Sequence, residues 1–144
     1  MKMNKKGVTL IELIVVIVII AIGAVLIAPN IGAWLPNYRL RSAARDIAST
    51  LRTAQMRAVS NNVDYQVFFA GSSFILRRNS LGMPVPEGAT QTLPTGISIV
   101  LPVNNPLTFS PNSSSNGGTV TLTNTKGSQR AITILPSTGR IAIQ

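Results

Sequence analysis

The chain has 144 residues, enough for one small domain and a membrane anchor, and carries a formal charge of +9. It contains no cysteine and no histidine, which excludes disulfides, thiol chemistry and the commonest general base and metal ligand. Its four acidic residues are scattered, so they offer neither a pair for acid–base catalysis nor a carboxylate cluster for calcium. We therefore predict a protein that is not an enzyme and that uses no cofactor or metal.

A basic leader precedes a long apolar run at the start of the chain. Lys5-Lys6-Gly7 leads into residues 8–28, which are long and apolar enough to cross a bilayer as a helix. Glu12 lies inside this run, where a carboxylate costs about 2.5–3.5 kcal/mol at mid-bilayer and needs a partner or a purpose. A secretory signal peptide would have a shorter run and a small-residue cleavage site, and a plain anchor would have no acid near its start.

The helical pattern continues beyond the apolar run. Pro29 predicts a kink, because proline removes one helix hydrogen bond and clashes with the preceding turn. Between residues 37 and 61 the apolar side chains recur every three or four residues, which predicts an amphipathic helix with one buried stripe. The stripe comprises Leu40, Ala44, Ile47, Leu51, Ala54 and Ala58. Asn61-Asn62 is the predicted helix end.

After Asn62 the hydrophobic pattern changes to a period of two, which predicts β-strands. The predicted strands are 63–69, 74–78, 97–101, 119–123, 130–135 and 140–143, with turns at 70–73, 124–127 and 136–139. The segments 82–94 and 106–118 are predicted as loops, the second around a short apolar Leu107-Thr108-Phe109. Strands without intervening helices form antiparallel sheets, so the predicted fold class is α+β, with a long N-terminal helix packed on antiparallel β-sheet.

The N-terminal segment resembles the type IV pilins and type II secretion pseudopilins. The resemblance rests on Lys5-Lys6-Gly7, on Val8 to Leu13 with Glu12 among them, and on Pro29 after the apolar run. It implies a pilin-like fold, cleavage between Gly7 and Val8 by a prepilin peptidase, and methylation of the new amino terminus. It also implies that Glu12 pairs with the terminal amine of a neighbouring subunit during filament assembly. The alternative to this pairing is that the Glu12 side chain extends to the lipid headgroups, or that its carboxyl group is neutral.

The later sequence narrows the resemblance to minor subunits of the GspH/FimT type. The Arg/Ala-rich helix 38–59 and the ending Ile132-Thr133-Ile134-Leu135-Pro136-Ser137-Thr138-Gly139-Arg140-Ile141 carry it. It implies a non-enzymatic minor subunit of a periplasmic filament, in type II secretion or type IV pilus biogenesis. The implied partners are the prepilin peptidase, other pilins or pseudopilins, and the inner membrane.

The basic residues have two interpretations. FimT-type minor pilins bind DNA through a Gly-Arg-x-Arg motif, of which Gly139-Arg140 match the first two positions and Ala142 replaces the second arginine. The resemblance thus makes DNA uptake the alternative function. The candidate DNA contacts are Arg140, Arg130, Lys126, Arg77 and Arg78, provided that the fold gathers them. The other interpretation is a solvated basic surface that maintains solubility.

The expected organisation has four parts. Residues 1–7 are the leader, residues 8–28 the transmembrane helix, residues 29–62 its amphipathic continuation and residues 63–144 a β-rich domain. Since the leader lysines face the cytoplasm by the positive-inside rule, the protein is expected to cross the inner membrane once, with its C-terminal domain in the periplasm and then in a filament.

Overall fold

The computed structural model describes residues 8–144, except for the side chains of residues 26–31 and 33. The chain forms two compact units, residues 1–35 and residues 36–144. One helix, α1 (Leu10–Asn61), supplies most of the first unit and the start of the second. It ends at the predicted position, where Asn62 adopts a left-handed backbone conformation with φ of 52°.

Two antiparallel sheets follow the helix. The strands are β1 (Tyr65–Ala70), β2 (Ser73–Ser80), β3 (Met83–Pro86), β4 (Gln91–Thr92), β5 (Ile97–Val100), β6 (Leu107–Phe109), β7 (Gly118–Asn124), β8 (Gln129–Ile134) and β9 (Ile141–Ile143). The first sheet has the order β3-β2-β1-β6, and β4 also pairs with β2. The second sheet has the order β5-β7-β8-β9. Every pairing between these strands is antiparallel.

The second unit has one hydrophobic core between α1 and the inner faces of both sheets. All six residues of the predicted helix stripe are buried, with at most 3% of any of them exposed. Along β1 the burial alternates from Tyr65 to Phe69, as it does along β7, so each strand turns one face to the core. The core contains Leu40, Ala43, Ala44, Ile47, Leu51, Ala54, Ala58, Tyr65, Val67, Phe69, Phe74, Leu76, Ile97, Ile99, Leu107, Phe109, Val120, Leu122, Ile132 and Ile134. The α+β prediction is confirmed.

The two predicted loops contain strands, so the loop prediction was wrong in part. Within residues 82–94, β3 and β4 pair with β2, and within residues 106–118, β6 pairs with β1. The side chains of β3 are all exposed and include two prolines, which are tolerated at a sheet edge. The side chain of Asn105 extends the β1–β6 edge, because its amide accepts from the Phe69 N–H (3.1 Å) and donates to the Phe69 carbonyl (2.9 Å).

Several sequence predictions lie outside the described residues. The leader with Gly7 is one, and the side chain of Pro29, for which a kink was predicted, is another. The predicted transmembrane helix 8–28 includes residues 26–28, whose side chains are also outside. Within the described part, none of the helices combines the length and the apolar character that a membrane crossing requires.

Candidate assembly segment and basic surfaces

Thr9 caps the N-terminus of α1 and places Glu12 in its first turn. The Glu12 N–H lies 3.1 Å from the Thr9 carbonyl and 3.4 Å from the Thr9 hydroxyl, and the Leu13 N–H donates to the same carbonyl at 3.2 Å. Thr9-Leu10-Ile11-Glu12 has the spacing of a capping box, in which an N-cap hydroxyl and a Glu or Gln three residues later satisfy free amides of the first turn. Glu12 is also favoured there by the positive end of the helix dipole.

The segment around Glu12 exposes its apolar side chains. Each large apolar side chain in residues 8–25 is between 46% and 77% exposed. They are exposed on all sides of the helix, since none of residues 8–25 is classed as buried. A helix that is apolar on every side is stable only when lipid or other protein covers it, and the described residues of this chain do not cover it.

Glu87 joins the segment after β3 to the end of α1. Its Oε2 lies 2.6 Å from Nη1 of Arg57, and its Oε1 accepts from the Tyr65 hydroxyl at 3.0 Å. Asn61 donates to the same hydroxyl at 2.6 Å, and Arg78 Nε lies 4.0 Å from Oε1. One of the four acidic residues is therefore engaged in holding the sheet against the helix end.

The structure separates Arg77 and Arg78, two of the five candidate DNA contacts. They lie on opposite faces of β2, because successive side chains of a strand alternate. Arg78 belongs to the Glu87 network, whereas the guanidinium carbon of Arg77 lies 4.2 Å from the centroid of the Phe68 ring, a cation–π contact. Neither side chain is part of a shared basic surface with the other.

Arg140 also lies apart from Arg130. The Leu135 N–H donates to the Arg140 carbonyl at 3.0 Å, so Arg140 lies opposite a position five residues beyond Arg130 along β8. At 3.3 Å per strand residue the two backbones are about 17 Å apart. Lys126 lies in the β7–β8 turn, four residues before Arg130, and belongs to the Arg130 end of the sheet. The structure therefore does not gather the five candidates into one site.

A different basic group is assembled where α1 meets the second sheet. We call it the arginine groove, and it is lined by Arg41, Ala44, Arg45, Arg130 and Ile143. Arg41 and Arg45 are one helical turn apart, so they lie on the same side of α1. Arg130 shares the inward face of β8 with Ile132 and Ile134, beyond the end of the core. The groove is open to solvent, and three arginines line it together with the apolar Ala44 and Ile143.

Sequence reasoning missed the groove and the helix cap. The basic candidates named from the sequence did not include Arg41 or Arg45, yet two like charges at a spacing of four residues were a signal, because they repel unless an anion joins them. The capping box was visible as Thr9-x-x-Glu12. In the described residues, no three His, Cys, Asp or Glu side chains are grouped so as to hold a metal ion.

The fold and the N-terminal segment define a type IV pilin-like protein. Residues 2–28 match the prokaryotic N-terminal methylation motif. Residues 43–138 match the family described as type II transport protein GspH, and the chain belongs to this family. No curated protein is significantly similar in sequence.

Solved structures share the fold at low sequence identity. The minor pseudopilin EpsH of the Vibrio cholerae type 2 secretion system superposes with a TM-score of 0.64 and 12% identity, over 74% of this chain and 96% of EpsH. The type IV minor pilin FimU of Pseudomonas aeruginosa superposes with a TM-score of 0.61 and 19% identity, over 75% of this chain and 90% of FimU. GspH of E. coli superposes with a TM-score of 0.64 and 14% identity, over 75% of this chain and 89% of GspH.

Proposed function

We propose that the protein is a non-enzymatic minor subunit of a periplasmic filament of the type II secretion or type IV pilus class. The observation that carries the proposal is the match to the methylation motif at residues 2–28 on the same chain as the GspH match at residues 43–138. A prepilin peptidase removes residues 1–7 after Gly7 and methylates the amino terminus of Val8. Residues 8–28 anchor the chain in the inner membrane, and the second unit lies in the periplasm.

Glu12 is the residue that sets the register of assembly in this proposal. Its carboxylate is exposed in the first turn of α1, among apolar side chains that lipid or neighbouring subunits must cover. An isolated charge in such surroundings is costly, whereas a pair formed with the cationic amine at Val8 of a neighbour is better compensated. The pair therefore favours one axial position between subunits.

The capping box allows the charge of Glu12 to be separated from its role in the helix. Glutamine is also accepted at the third position of a capping box, so Glu12→Gln retains the cap and removes only the charge. We expect Glu12→Gln to be cleaved and inserted normally but to enter filaments at least several-fold less than wild type. The measurement is the amount of this protein in filaments purified from its own host, with intact mass showing loss of seven residues and gain of a methyl group.

Thr9→Ala is the matched control, because it weakens the cap and leaves the charge in place. It should enter filaments like wild type. Assembly of Glu12→Gln at the wild-type level would refute the charge-pairing role. Equal failure of Thr9→Ala would assign the defect to the helix start, and a chain that retains Met1 would refute the processing step.

A further inference from the structure

We propose that the arginine groove and the outer edge of β9 together bind an extended acidic segment of another protein, which adds to the second sheet as a further strand. The surface lies wholly in the second unit, so the proposal goes beyond the assembly role of Glu12 and does not depend on it. It concerns Arg41 and Arg45 of α1, Arg130 of β8 and Ile143 of β9.

The positive charge of the groove has no counterion among the described residues. The ion pairs there are Arg57–Glu87 and Arg78–Glu87, and neither reaches the groove. Asp46 follows Arg45 in sequence but lines a separate hollow with Arg57 and Glu87. Neighbouring arginines without a carboxylate partner repel one another, so the groove favours an external anion.

The edge strand β9 offers backbone hydrogen bonds beside the groove. Among residues 8–144, only β8 pairs with β9. Gln144 exchanges two hydrogen bonds with Ala131, at 2.8 and 3.3 Å, and bonded and non-bonded pairs alternate along an antiparallel ladder. The N–H and C=O groups of Ile141 and Ile143 therefore point away from β8. Such an edge is a template for an added strand.

The helix arginines of the groove lie beside the path of a strand added to β9. Hydrogen bonds join Asn124 to Asn37 (3.0 Å) at one end of the helix and Gln55 to the Thr138 carbonyl (3.2 Å) at the other, so α1 runs along the second sheet. Alternate side chains of a strand are about 6.8 Å apart and helical turns about 5.4 Å. Two acidic side chains on one face of the strand can therefore reach two successive turns of α1.

The acidic segment comes from a different protein, because this chain is poor in carboxylates. Residues 36–144 contain ten basic and three acidic side chains, a net charge of +7, and Glu87 is already paired. Two copies that met at this surface would bring arginine against arginine. A segment rich in Glu or Asp supplies carboxylates that match the guanidinium fork and a backbone that pairs with β9. A nucleic acid supplies the charge but has no peptide backbone for the edge.

The test measures binding of labelled synthetic peptides to the full chain in nonionic detergent by fluorescence anisotropy. One peptide alternates glutamate and threonine, a second has the same composition with the glutamates in one block, and a third has glutamine in place of glutamate. The alternating peptide should bind most tightly, because only it places every carboxylate on one face of a strand. The glutamine peptide should bind at least about tenfold more weakly.

The contribution of the groove is tested by removing its helix arginines. Arg41→Gln combined with Arg45→Gln should weaken binding of the alternating peptide about tenfold or more, because charge-assisted hydrogen bonds are lost. Arg77→Gln combined with Arg78→Gln removes the same charge from the first sheet and should leave binding within about twofold. Arg130→Gln, on the strand, repeats the test if the groove variant does not fold.

The contribution of the strand edge is tested by Ile143→Pro. This change removes an N–H that points away from β8 and leaves the β8–β9 hydrogen bonds in place, as proline is tolerated at such positions. Ile143→Ala is the matched control, because it shortens the side chain and retains the N–H. Ile143→Pro should bind the alternating peptide about fivefold more weakly than Ile143→Ala.

Three outcomes would overturn the proposal. Equal binding of the acidic and glutamine peptides, or an equal loss in the groove and first-sheet variants, would refute the role of the arginines. Equal affinities of Ile143→Pro and Ile143→Ala would refute strand addition. Tighter binding of a duplex oligonucleotide, lost with the same groove arginines, would assign the groove to nucleic acid. Glu12→Gln should bind the alternating peptide like wild type, so failure of the assembly role and failure of this proposal are distinguishable.

Discussion

At the scale of single residues, the surroundings of position 139 explain why a glycine precedes Arg140. Its backbone has φ of 60°, and a Cβ built there would lie 2.5 Å from the Ser113 carbonyl oxygen and 2.6 Å from Nε2 of Gln55. The same Gln55 amide donates to the Ser113 carbonyl at 3.4 Å and to the Thr138 carbonyl at 3.2 Å. The turn before β9, the loop around Ser113 and α1 thus meet at a point that has no room for a side chain.

We therefore expect Gly139→Ala to destabilise the second unit more than Gly127→Ala. Both glycines have a positive φ, which costs an alanine about 1 kcal/mol. A Cβ at Gly127 meets open space, whereas at Gly139 it must displace backbone, adding about 1–3 kcal/mol. Urea denaturation of residues 36–144, which contain the whole core, measures the difference. Equal losses for the two variants would show that the contacts of Gly139 do not constrain it.

At the scale of elements, the helix of the second unit is fixed by its apolar stripe. Ile47 and Leu51 are fully buried in the core that α1 shares with both sheets, and the alanines at 44, 54 and 58 are buried in the same core. Met56 lies on the other side and is 62% exposed. Within the described part of α1, the stripe and the small Ala43 enter the core cluster, so the large side chains of the stripe should carry most of the helix–sheet stability.

Leu51→Ala should accordingly lower the unfolding free energy by about 2–5 kcal/mol, the usual cost of removing a buried leucine side chain. For a unit of this size the melting temperature should fall by roughly 10 °C or more. Met56→Ala, an exposed position on the same helix, should change the free energy by less than about 0.5 kcal/mol. Thermal unfolding of residues 36–144 followed by circular dichroism tests both variants. Indistinguishable melting of Leu51→Ala and Met56→Ala would mean that the stripe does not stabilise the unit.

The helix and the longer strands were predictable because their signals are local. The stripe from Leu40 to Ala58 repeats over five turns, and the alternation in β1 and β7 is visible within each strand. The three residues of β6 are too few for a period, and their pairing with β1 closes a loop of about 40 residues that no local pattern records. Glu12 could be identified from the sequence because it is an acid among apolar neighbours. The groove could not be identified in this way, because Arg130 lies near Arg41 and Arg45 only in the folded chain.

At the scale of the whole molecule, the basic side chains of the described residues are distributed over separate parts of the surface. Arg57 and Arg78 are paired with Glu87, Arg77 lies over Phe68, and Arg140 is at the far end of β8 from Arg130. Such a distribution raises solubility and gives a general attraction for polyanions. Among residues 8–144 it does not form the continuous basic track along which a nucleic acid backbone could lie. The arginine groove is the exception, and it has room for few phosphates.

We therefore expect the full chain in nonionic detergent to bind duplex DNA weakly and without sequence preference, with a Kd of roughly 10⁻⁴–10⁻⁶ M. Each phosphate contact contributes about −0.9 to the slope of log affinity against log salt, so three groove arginines give a slope of about −3 at most. Arg41→Ala should weaken binding more than Arg140→Ala, because Arg41 acts together with two neighbouring cations and Arg140 acts alone. Fluorescence anisotropy with a labelled duplex between low and moderate salt measures affinity and slope together. Tight binding that is steep in salt and depends on Arg140 would contradict this expectation, and would show that the partial Gly139-Arg140 motif suffices for DNA binding.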